Sequence, residues 1–133
     1  MEELIFYPNV SVGEFVLGDS IENYLHLEYR LDKRENMFSY DRYVFEDEGL
    51  ILWVDILGNI ERITCSLRCI WEGRNIVGMD FDEFLSVYED EAGSPELLET
   101  RDVPGGPEVQ VYGFEDVGFD LMVAGGSIAT VMI

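Results

Sequence analysis

Basic side chains are scarce in this sequence. Eight Lys and Arg stand against 28 Asp and Glu, which gives a net charge of −20 and a pI near 4.1. Nucleic acids and anionic lipid head groups hold proteins largely through phosphate contacts with Lys and Arg, so no direct binding to either is expected. Long apolar runs are also missing. No segment approaches the roughly 20 residues of a membrane-crossing helix, and Glu2 and Glu3 stand where a secretory signal carries basic residues. A cytoplasmic protein is expected.

Histidine occurs once and cysteine twice, which narrows the available chemistry. His26 follows the first predicted helix, where a cation suits the C-terminal dipole, and no acid or nucleophile accompanies it at motif spacing. No cysteine-nucleophile signature surrounds Cys65 or Cys69, and their spacing with one distant His supplies no zinc ligand set. If residues 65 to 69 are strand, the two thiols lie roughly 13 Å apart at ~3.3 Å per residue, beyond disulfide reach. Two buried free thiols are expected. The stretch from Asp80 to Glu91 opens like a calcium loop but has Leu85 where the turn requires Gly. There is no Gly-x-Ser-x-Gly elbow, and Gly105-Gly106 and Gly125-Gly126 lack the Lys of a phosphate loop. No catalytic residue, metal ligand or cofactor-binding residue is assigned, and the chain is not expected to be an enzyme.

What is present is a foldable core. Hydrophobic residues make up 47% of the chain and aromatics 13%, whereas disordered chains of high charge lack both. One domain over 1–133 is expected, long enough to bury a hydrophobic core.

The sequence also repeats itself. Val44 to Val54 followed by Gly58 to Ile63 reads onto Gly113 to Val123 followed by Gly126 to Val131 with one deletion. Upstream, Gly18 to Leu25 matches Gly78 to Leu85. Ser20 and Asp80 are N-cap residues, each followed by apolar positions at i+1, i+4 and i+5 that form a helical stripe. Leu50, Leu52 and Val54, like Phe119, Leu121 and Val123, alternate with their neighbours as strands do, and the side holding Leu50 and Phe119 is predicted to face the core. Glycine-bearing turns separate the strands. The pattern predicts an α+β fold: an antiparallel meander of seven or eight strands with two helices on one face. It is built from two tandem helix-plus-three-strand repeats, about 10–66 and 74–133. The second copy is longer, with a loop at about 92–107 holding three of the four prolines. Leu4 to Tyr7 and Val10 to Leu17 read as additional strand, broken at Pro8 and Asn9.

The acids are unevenly compensated. Residues 1–66 hold 14 acids and 5 bases, and residues 67–133 hold 14 acids and 3 bases. Glu89, Asp90 and Glu91 are read as ending the second helix, where they would oppose its dipole, and Glu96, Glu99 and Asp102 as lying on the inserted loop. A large field of one sign steers in the opposite charge. These six residues are the first candidates for a cationic partner, with Asp47, Glu48, Glu115 and Asp116 on the turns as second choice.

The two helix starts, followed by Phe-Glu-Asp-x-Gly and an alternating strand, resemble the helix-then-antiparallel-strands unit of small bacterial inhibitor and periplasmic assembly domains. With its acidity and size, the whole chain resembles an immunity protein of a polymorphic toxin system, such as contact-dependent growth inhibition. The resemblance implies binding to a cationic toxin domain, often a nuclease, and blockage of its active site. Such proteins share no common motif, so no site residue is carried over by position. Two other readings stay open: an acidic structural or stress-related domain of a salt-adapted cell, and a carboxylate-based hydrolase.

Overall fold

The computed structural model describes residues 4–33 and 40–133. Along them run β1 (Phe6–Tyr7), β2 (Ser11–Val12), β3 (Phe15–Val16), a one-turn 3-10 helix (Ile21–Tyr24), β4 (Arg30–Asp32), β5 (Asp41–Phe45), β6 (Leu50–Val54) and β7 (Ile60–Cys65). There follow β8 (Ile70–Trp71), β9 (Arg74–Asn75), α1 (Phe81–Val87), α2 (Glu89–Ala92), β10 (Glu96–Arg101), β11 (Val109–Phe114), β12 (Phe119–Ala124) and β13 (Ser127–Met132). Eight strands form one antiparallel sheet in the order β10-β11-β12-β13-β7-β6-β5-β4, with β1–β3 as a small second sheet and β8–β9 as a hairpin. The architecture is mostly antiparallel β with two short α-helices. Among the described residues, no helix is long and apolar enough to cross a membrane.

The register decides which side chains share a face. Phe45, Leu50, Cys65, Val131, Leu121 and Tyr112 stand opposite one another in turn across six strands. Directly opposed residues point to the same side of a sheet, so this row marks the inner face. The 3-10 helix packs there through Ile21 and Tyr24, α1 through Phe81 and Phe84, and the small sheet through Phe6, Val12 and Phe15. Phe15 meets Phe45 at 5.3 Å between ring centroids, Phe6 meets Phe119 at 5.3 Å, and Phe81 meets Tyr112 at 4.4 Å. Each fully buried side chain of this size stabilises the fold by roughly 1.5–3 kcal/mol.

The helix starts are capped as their sequence predicts. The Glu22 amide donates to Ser20 Oγ, and the Glu83 amide donates to Asp80 Oδ2. Each start is also tied to a hairpin of the large sheet. Gly18 N–H donates to the Ile60 carbonyl and Gly78 N–H to the Ile128 carbonyl, both at 2.7 Å; Ile21 N–H donates to Gly58 and Phe81 N–H to Gly126, both at 2.9 Å.

Four expectations need correction. Each meander holds four strands of the large sheet rather than three, because β4 and β10 join them. The stretch at 92–107 is not all loop: Glu96–Arg101 pairs with β11, since Pro95 and Pro104 bracket a proline-free segment able to form a ladder. The first helix is a single 3-10 turn of four residues, too short for a repeating stripe. The cysteines, both free and buried, are not held apart along one strand. β7 ends at Cys65, the chain bends, and the two thiols come within hydrogen-bonding reach.

Candidate functional site

Three aromatic residues fix where the acidic margin emerges. Phe84 is buried in α1, and Tyr88 stacks on Trp71 with centroids 4.6 Å apart. Tyr88 ends α1 with a kink (φ −107°, ψ 23°), and beyond it Glu89–Ala92 forms the separate four-residue α2. Glu89, Asp90 and Glu91 therefore occupy the first turn of α2 instead of the end of a continuous helix, and the expected opposition to its dipole does not arise there. Ala92 is buried and anchors the turn. Gly93, at φ 74° and ψ −159°, then redirects the chain through Ser94 and Pro95 into β10.

Strand β10 is the edge of the eight-stranded sheet, and all six of its residues are exposed. The pairing of Leu97 with Tyr112 and of Glu99 with Val111 leaves Leu98 as a bulge. Leu98 lies over Gly113, where a Cβ would come within 2.9 Å of Leu98 Cδ1. Glu96, Gly113 and Asp120 stand in one cross-strand row on the outer face. Glu96, Leu98, Glu115 and Asp120 help to line a shallow cleft of about 250 Å³. Burial pushes the Asp120 carboxyl above its ordinary range, partly countered by the Arg62 guanidinium.

Glu89, Asp90, Glu91, Glu96, Glu99 and Asp102 thus follow one another along the α2–β10 margin, and all six are exposed. Glu99 is held by Arg101 through two hydrogen bonds, at 2.8 and 2.9 Å, which lowers its carboxyl below the ordinary range. The turn bearing Glu115 and Asp116 follows β11 at the Glu96 end of β10, because Glu96 pairs with Gly113. Asp47 and Glu48 do not join them. β6 and β12 run in opposite directions, since β6, β7, β13 and β12 alternate in an antiparallel series, so the turns preceding β6 and β12 lie at opposite ends of the sheet.

Sequence reasoning missed Asp120 and the two exposed leucines. Asp120 did leave a signal: it is an acid inside the alternating run Phe119 to Val123, on the side turned away from the core. Leu97 and Leu98 carried none, because a dipeptide between proline-rich stretches reads as loop. Among the described residues, no group of three or more His, Cys, Asp and Glu is placed to hold a metal ion. No protein-family model, curated protein or solved structure matches this chain.

Proposed function

We propose that this protein is an acidic inhibitor that binds a cationic protein partner and occludes its working surface, in the manner of an immunity protein acting on a toxin nuclease. One observation carries the reading: the α2–β10 margin, where Glu89, Asp90, Glu91, Glu96, Glu99 and Asp102 are all exposed and Arg101 engages Glu99. Carboxylates presented this way imitate the phosphates that a nuclease cleft attracts, and the net charge of −20 steers association. The deciding experiment is coexpression with the C-terminal toxin domain encoded immediately upstream of its gene. Rescue of growth that is lost on reversing Glu89, Asp90 and Glu91 to Lys supports the proposal. Toxicity untouched by abundant folded protein overturns it.

The same proposal holds the segments of about 10–66 and 74–133 to be tandem copies of one unit. Supporting it, the paired bonds of Gly18 and Gly78, and of Ile21 and Phe81, fall at matching sequence positions with matching lengths. The sheet bulges lie at Trp53/Val54 and Met122/Val123, which also correspond.

A second reading has its own support. Asp120 combines burial, a raised carboxyl and a concave setting shared with Glu96 and Glu115, the pattern of an acid–base carboxylate in a hydrolase. It predicts turnover of a glycoside or ester by the isolated chain, abolished by Asp120→Asn.

A further inference from the structure

Sheet edges expose unpaired backbone groups, and proteins blunt them with short strands or charge. The two edges of the large sheet differ in this respect. β4 has three residues, and its charges are paired: Arg30 with Asp32 and Glu46, and Arg42 with Asp32. β10 has six residues, and in its first half Leu97 and Leu98 are 53% and 51% exposed. The Leu98 bulge and the bracketing Pro95 and Pro104 limit how far pairing could extend, but no described strand flanks the outer side of Glu96–Arg101.

We propose that β10 receives an extended, basic segment of the partner as a ninth, antiparallel strand. The inference rests on the preceding reading that the partner is a cationic protein. Charge selects the occupant. A second copy of this chain would bring another −20 to the edge, whereas a strand alternating apolar and basic residues meets complementary groups on both sides. Leu97 pairs with Tyr112, whose ring packs on Phe81 of the inner side, so an apolar residue of the added strand lies beside it. Glu96 shares the outer row with Asp120, so basic residues lie there. Ladder hydrogen bonds supply affinity, and the alternation supplies specificity.

The test uses the full chain and an octapeptide of alternating Lys and Val, compared with a peptide of identical composition arranged as a Lys block and a Val block. The alternating peptide is expected to bind about tenfold more tightly, as a few cross-strand contacts imply. It should also slow amide exchange within Leu97–Arg101. Leu97→Asp should cost about tenfold in affinity, whereas Leu57→Asp, at a turn residue 81% exposed, should not. Equal affinity for the two peptides, unchanged exchange in β10, or a free protein that is dimeric with β10 already protected would overturn strand addition. The two proposals fail separately. A toxin domain bound in a salt-sensitive way without β10 protection removes strand addition alone. Peptide pairing at β10 with no growth rescue leaves the edge site and removes the toxin partner.

Discussion

Tyr88 lies flat on Trp71, with ring planes 1° from parallel, and its hydroxyl donates to the Trp71 carbonyl at 2.7 Å. This single residue ends α1, closes the core beneath the β8–β9 hairpin and sets the direction in which the acidic margin leaves the helix. Burial pushes its hydroxyl above the ordinary tyrosine range, which keeps the proton on the donor.

Tyr88→Phe removes that donor, and the buried hydrogen bond to the Trp71 carbonyl is lost. A loss of about 1 kcal/mol is expected, against roughly 3–5 kcal/mol for Tyr88→Ala, which also opens a cavity. Urea titrations of the two variants measure both, and indistinguishable midpoints would show that the stack does not hold the margin.

Asp120 should make stability fall as pH rises. Its folded carboxyl is raised above the unfolded value by burial, so its favourable contribution is complete below the unfolded pKa and is lost as pH climbs through the folded one. Asp120→Asn should therefore be more stable than the parent at pH 7, with the difference shrinking toward about pH 4. Denaturation of both proteins at the two pH values checks the sign.

Salt should act in opposite directions on the chain and on its complex. Raising ionic strength from about 0.01 M to 1 M shortens the Debye length from about 30 Å to 3 Å, which relieves self-repulsion in a molecule of net charge −20 and weakens its hold on a cationic partner. The melting temperature of the free protein should rise while partner affinity falls. Affinity indifferent to salt would argue against charge-steered binding.

The thiols should be silent until the protein unfolds. Cys65 and Cys69 are buried, and the hydrogen bond to Cys65 together with burial pushes the Cys69 thiol far up. A thiol reagent at pH 8 should label neither in the native state and both in denaturant. Rapid labelling of the native protein would place the pair nearer the surface.

Gly118 marks a position where backbone and packing agree. Its φ of +90° disfavours any side chain, and a Cβ would stand 2.6 Å from Asn9 Cβ, against the turn between β1 and β2. Gly118→Ala should cost more than about 1 kcal/mol in a urea titration.

Local patterns carried much of the fold. The alternation of Leu50, Leu52 and Val54, and of Phe119, Leu121 and Val123, gave the strands and their buried side, and Ser20 and Asp80 gave the helix starts, because one-sided burial and end capping depend on neighbouring residues. β10 was not legible. With every residue exposed it shows no burial alternation, and its pairing comes from β11 across the proline-rich turn.

The sequence by itself determined the acidity, the aromatic content and the residues placed on turns, since composition and short-range spacing are properties of the chain. Tertiary structure decided the rest. The β7–β13 pairing joined the meanders and sent the two acidic turns to opposite ends. The bend after Cys65 brought the thiols together, and the kink at Tyr88 put Glu89, Asp90 and Glu91 into a separate helical turn ahead of the exposed edge strand. Such contacts join residues distant in sequence or depend on a local change of direction, and neither hydrophobic periodicity nor charge counting encodes which pairs will meet.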